Sequence, residues 1–130
     1  MTWAYGLAVR SVRVMDLDVT TYEHGPVSIV TVAGEIDHAT APRLRETLVS
    51  LAEHGRHRLV IDLRGVDFMD STALGLLAGA LKRSWAADGS FRLVCTAERL
   101  LAMFRVTGLD RVMAIRESVD QALADQDQCS

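Results

Sequence analysis

Apolar and polar positions repeat with two different periods along this chain, and the switches between them delimit its elements. Leu17, Val19 and Thr21 share one face of a segment running to Tyr22, which predicts a half-buried strand. His24-Gly25-Pro26 reads as a turn, and Val27 to Ala33 is a nearly continuous β-branched run, which predicts a buried central strand. Gly34 to Asp37 is expected to leave the sheet. Thr40 to Pro42 opens a helix, because proline is tolerated in a first turn, and Leu44, Leu48, Leu51 and Ala52 then fall on one helical stripe. Gly55 ends it. Arg58 to Leu63 is the next strand and Arg64 to Asp70 a loop. Ser71 opens a second helix, with Leu74, Leu77, Ala78, Leu81 and Trp85 as its buried stripe and Gly75 and Gly79 expected to let the sheet approach closely. Gly89 closes that helix. Phe91 to Cys95 reads as a strand, Glu98 to Val106 as a helix stopped by Gly108, Val112 to Ile115 as a short strand and Ser118 to Ala124 as a last helix.

The resulting order, β-β-α-β-α-β-α-β-α, predicts an α/β sandwich: a mostly parallel sheet of about five strands carrying about four helices. Residues 1–14 show no clear period. Two readings of them stand: a loosely docked N-terminal arm, or a segment ahead of a true translation start at Met15. Residues 15–125 form one domain, and a polar tail, from Asp125 through 126–130, is expected to be disordered.

Composition narrows the function. The chain has 130 residues with 49% apolar content and a net charge of −3, which suits one globular domain and argues against gripping phosphate backbones. Cys95 and Cys129 make neither a disulfide framework nor a metal site and fit a reducing cytosol. The apolar runs are too short to cross a bilayer and the N-terminus lacks the pattern of a signal peptide, so a cytoplasmic protein without membrane attachment is expected. Ser71 lies outside a G-x-S-x-G elbow. His24, His38, His54 and His57 read as solvated. No phosphate-binding glycine loop is present. Catalysis, metal and cofactor are therefore not expected.

The segment Asp70-Ser71-Thr72 marks a helix start, where backbone N–H groups lack partners. One reading is an N-cap cluster. The same geometry also accepts a phosphate, because the helix dipole and the free N–H groups both favour negative charge. A phosphoserine at Ser71 adds about −1.5 to −2 charges. Asp37, Asp62 and Asp70 are expected to gather with it into one acidic patch, able to expel an acidic or tightly fitted partner.

Four motifs then resemble those of the STAS-domain anti-sigma factor antagonists: Gly34-Glu35-Ile36-Asp37 followed by Ala41 to Leu48; Val60-Ile61-Asp62-Leu63; Phe68-Met69-Asp70-Ser71-Thr72-Ala73-Leu74-Gly75; and Val106-Thr107-Gly108-Leu109. The resemblance covers about Leu17 to Leu123. It implies that the unphosphorylated protein binds an anti-sigma factor, often a serine kinase of the GHKL type, and frees its sigma factor. Phosphorylation of Ser71 (with Thr72 as a second acceptor) switches binding off, and a PP2C-type phosphatase resets it. ATP and magnesium belong to the kinase. Asp37, Ala41, Arg45, Asp70, Ser71, Thr72 and Ala73 are the expected partner-binding residues. The protein is expected to be a monomer, a weak dimer being the alternative. Ala73 departs from the glycine frequent in the family. The competing reading is a STAS interaction scaffold in another signalling or transport complex.

Overall fold

The computed structural model describes residues 9–14 and 17–128, with side chains from 17 to 125. Its sheet has six strands in the order β1 to β6: β1 (Val9–Val14), β2 (Leu17–His24), β3 (Val27–Ile36), β4 (Arg58–Met69), β5 (Ser90–Val94) and β6 (Ala114–Arg116). The first three are antiparallel neighbours, and β3 to β6 run parallel. The helices are α1 (Ala41–Glu53), α2 (Ser71–Ala86), α3 (Glu98–Thr107) and α4 (Val119–Gln128), with a 3-10 turn at Leu109–Arg111.

Sheet order follows chain order, so each right-handed crossover steps the same way and α1, α2 and α3 pack on the same face. Their apolar stripes meet Val30, Val32, Leu59, Ile61, Phe91 and Leu93 in the main core. The alternate positions Val27, Ile29, Val60 and Val94 face the other way, where Val119 and Ala122 of α4 cover them. This two-sided burial explains why β3 and β4 lack clean alternation.

Several expectations are corrected. Residues 9–14 form a strand, paired with β2 from Val9–Tyr22 to Val14–Leu17, so the described sheet has one strand more than expected. Met15 lies outside the described residues. Gly34 to Ile36 does not leave the sheet, and β4 continues past Leu63 to Met69, where Ile36 is its partner. Two register shifts disturb that pairing, and inward positions there fall at Leu63, Val66 and Met69, a spacing of three that hides a strand. Gly65 belongs to the first irregularity; a Cβ there would lie 2.9 Å from Ala33 Cβ. The short strand before α4 falls at 114–116, later than expected. Trp85 is 53% exposed, and the buried stripe of α2 runs instead through Ala73, Leu74, Leu77, Ala80, Leu81 and Ser84. Gly75 and Gly79 do not admit the sheet: a Cβ at Gly75 meets nothing within 4 Å, and one at Gly79 meets only Arg83 Nη1 at 3.6 Å. The polar tail is helical to Gln128, and Asp125 pairs with Arg116.

Candidate functional site

At the carboxyl ends of β3 and β4 the chain turns twice, into α1 and into α2, and the two turns are bonded to each other. Asp37 directs the first. Its Oδ1 accepts from the amides of Ala39 (2.9 Å) and Thr40 (3.0 Å), and its own amide donates to Thr40 Oγ1 (3.0 Å). The Thr40 hydroxyl donates to Glu35 O at 2.8 Å. This reciprocal arrangement pairs the amides of the turn that leads into α1, whose N-cap residue Thr40 makes no side-chain cap bond of its own. The Thr40 amide, foremost among these partners, holds the Asp37 carboxyl below its ordinary range, so it stays ionised.

Asp70 directs the second turn and ties it to the first. Its extended backbone suits an N-cap, and its Oδ1 accepts from the Ala73 amide at 3.2 Å. Its Oδ2 accepts from the His38 amide at 3.2 Å, and its own amide donates to Ile36 O at 3.2 Å. Arg99 of α3 reaches the same corner, donating from Nη2 to Asp67 O at 2.5 Å.

Ser71 follows this cap as the first residue of α2 and is exposed, as is Thr72. Among the described residues nothing hydrogen-bonds the Ser71 hydroxyl or the Ser71 and Thr72 amides. The capping is done by Asp70, which leaves the Ser71 hydroxyl free for modification and two N–H groups free to meet added negative charge.

Of the remaining predicted residues, Arg45 is exposed, but Ala41 and Ala73 are only 2% and 0% exposed. Both pack in the main core and neither offers surface to a partner. Asp62 does not join the acidic patch. It is buried in mid-strand, opposite Thr31 and Val94. There Arg64 neutralises it through Nε to Oδ1 (3.0 Å) and Nη2 to Oδ2 (2.8 Å). Because β4 is longer than expected, roughly 20 Å of strand, at about 3.3 Å per residue, separates Asp62 from this corner. The charged frame of Ser71 is therefore Asp37 and Asp70, with exposed Glu35 and Asp67 beyond them. Phe68, 48% exposed, is a surface feature the sequence reading missed; its place in an assumed loop gave no reason to weigh its exposure.

Two open grooves of about 400 Å³ lie elsewhere: one between α1 and β2, floored by Val19 and Leu51, and one along α3 and β6, lined by Cys95 and Met113. Among the described residues no helix is long and apolar enough to cross a membrane, and no cluster of three or more His, Cys, Asp or Glu residues is placed to hold a metal ion.

Comparison with known proteins follows the same lines. The STAS domain family matches residues 18–122. The anti-sigma-B factor antagonist of Bacillus subtilis is 42% identical over 101 residues, covering 78% of this chain and 92% of that protein. Its Staphylococcus epidermidis counterpart is 36% identical over 106 residues, covering 82% and 98%. The crystal structure of an anti-sigma factor antagonist from Mycobacterium paratuberculosis superposes with a TM-score of 0.80 at 30% identity, covering 89% of this chain and 99% of that one. With a family match across the whole parallel sheet and relatives alike over nearly their full length, the chain belongs to the STAS domain family.

Proposed function

We propose that this protein is a phosphorylation-controlled anti-sigma factor antagonist. Unphosphorylated, it binds an anti-sigma factor that is also a serine kinase, of the GHKL type, and so frees a sigma factor. Phosphorylation of Ser71 ends the binding, and a PP2C-type phosphatase restores it. The chain is substrate and ligand in this cycle, and not an enzyme; ATP and magnesium serve the kinase. It acts as a cytoplasmic monomer. Thr72, exposed beside Ser71, is the second acceptor.

The observation that carries this reading is the free, exposed Ser71 hydroxyl at a helix start that Asp70 has already capped. A serine retained only as a cap would occupy the Asp70 position and spend its oxygen on the Ala73 amide. The names of the relatives at 36% and 42% identity support the pathway. The test is affinity capture from the source cell with Ser71→Ala and Ser71→Asp baits, read by mass spectrometry. Retention of a GHKL-type anti-sigma kinase by Ser71→Ala and its loss from Ser71→Asp is the expected result. Equal retention by both baits would remove Ser71 from the switch and favour a constitutive STAS scaffold.

A further inference from the structure

The groove between α1 and β2 has an apolar floor and a rim whose charges answer one another. Val19 of β2 and Leu51 of α1, both packed with the main core, line its base. Along the rim Arg43 pairs with Glu46 at 2.8 Å, and Arg56 lies 3.9 Å from Glu23. Two guanidinium groups thus stand against two carboxylates, and the rim holds no net charge to recruit an ion. Thr47 and Ser50 also line the groove, and their hydroxyls suit the N–H or O–H that a buried Trp or Tyr must pair. At about 400 Å³ the space is within the range of sites that hold a ligand.

Residues 1–8 run into the molecule beside this groove. β1 begins at Val9, whose partner on β2 is Tyr22, the residue between Thr21 and Glu23 of the groove lining. The other groove, along β6, is at the opposite edge of the sheet, five strand spacings of about 4.8 Å away. Eight extended residues span about 26–29 Å at most, whereas the stretch of β2 from Val19 to Glu23 measures about 14 Å. The segment is therefore long enough to turn back before Val9 and follow the groove to its far end. Between Met1 and Ala8 there is no charged side chain, yet one of the two tryptophans and one of the two tyrosines of the chain stand there, as Trp3 and Tyr5. Two apart, they share one side of an extended stretch, and Gly6 directly after them tolerates the backbone of a tight reversal.

We propose that the occupant of the α1–β2 groove is the chain's own segment 1–8, with the rings of Trp3 and Tyr5 seated on Val19 and Leu51. A neutral aromatic segment matches a charge-balanced rim over an apolar floor. Its attachment at Val9 holds it at the mouth of the groove at an effective concentration in the range of about a millimolar, which favours it over a free competitor. Docked there, it ties the edge strand β1 to α1, and any other ligand of the groove must first displace it. None of the described groove residues belongs to the corner that holds Ser71, so this inference is independent of the switch.

The experiment uses the whole 130-residue chain, isotope-labelled, and records through-space NMR contacts. Contacts from the Trp3 and Tyr5 rings to the methyl groups of Val19 and Leu51 are expected, alongside those between Val30 and Ile61, which are register partners in the main core and report an intact fold. The double variant Trp3→Ala, Tyr5→Ala is expected to lower the unfolding midpoint by about 4 °C or more. In a Ser50→Arg background, where a long side chain fills the groove, the same two substitutions are expected to lose most of that shift. Missing ring-to-methyl contacts with the Val30–Ile61 contacts present overturn the proposal. So do contacts found only between copies in a mixture of labelled and unlabelled chains, since the occupant is then a second molecule. An unchanged midpoint for the double variant, or an equal shift with and without Ser50→Arg, overturns it as well.

Discussion

The Asp70 carboxylate is divided between two loops, with one oxygen on the Ala73 amide that opens α2 and the other on the His38 amide in the turn before α1. Removing an N-cap side chain costs about 0.5–2 kcal/mol, and a second hydrogen bond is worth about 1 kcal/mol. Asp70→Ala is therefore expected to lose about 1.5–3 kcal/mol in urea unfolding, whereas Asp70→Asn, which keeps an acceptor for Ala73, should lose less. A loss under about 0.5 kcal/mol for Asp70→Ala would mean the two turns hold without it. Asp37 should reveal itself through pH. Its folded carboxyl titrates below the ordinary value of 3.8 because the Thr40 amide, and then Ala39, donate to it. A depressed folded value means that the ionised group stabilises the fold above about pH 4, and that this contribution disappears as pH falls through the lower folded value. The stability gap between wild type and Asp37→Ala should thus be constant from pH 5 to 7 and narrow below pH 4. A gap that does not change with acid would show that the bonds at Asp37 do not depend on its charge.

Among the elements, the glycines of α2 and of the strand connections should respond oppositely to the same change. Gly79→Ala meets only ordinary van der Waals contact and should stabilise the protein by about 0.5–1 kcal/mol. Gly89→Ala drives a Cβ onto the His57 carbonyl and should cost about 1–3 kcal/mol or more. Ala73→Leu belongs with the second kind, since Ala73 is fully buried; its expected effect is loss of fold stability, with any loss of partner binding following from that. Chemical denaturation of the three variants checks all of these signs. The contrast also shows where sequence patterning succeeds. Leu44, Leu48, Leu74, Leu77 and Leu81 were legible as core because helical periodicity depends only on the helix itself. Trp85 continues the i+4 spacing from Leu81, but in that last turn the buried position is Ser84, which leaves Trp85 on the exposed side. The far half of β4 was illegible because two register shifts replace the period of two with a period of three. β1 was illegible because a sheet edge tolerates polar and charged residues such as Arg10 and Arg13, and its strand character comes from pairing with β2. At the candidate site, the helix start formed by Asp70, Ser71 and Thr72 was readable from capping chemistry. The burial of Ala41 and Ala73 and the isolation of Asp62 were not, because each depends on packing between elements distant in sequence.

For the molecule as a whole, the site stands near the centre of a six-stranded sheet, at the carboxyl ends of two adjacent parallel strands. α2 is fixed beneath Ser71 by Ala73, Leu74 and Leu77 in the main core, and the turn beside it is held by Asp37 and Asp70. Negative charge added at Ser71 therefore meets a rigid frame. It also meets the positive end of the α2 dipole, which favours it by about 0.3–1 kcal/mol when exposed, against repulsion from Asp37 and Asp70 that water and salt screen. These opposing effects are both small and should nearly cancel. Ser71→Asp, and the phosphorylated protein, should accordingly unfold within about 1 kcal/mol of wild type, with unchanged amide exchange across β4 and α2, even while partner binding is lost. A change of state confined to the surface gives that result. Loss of more than about 2 kcal/mol, or fast exchange of the α2 amides after phosphorylation, would instead mean that the switch works by loosening the helix, and the frame around Ser71 would then be the moving part.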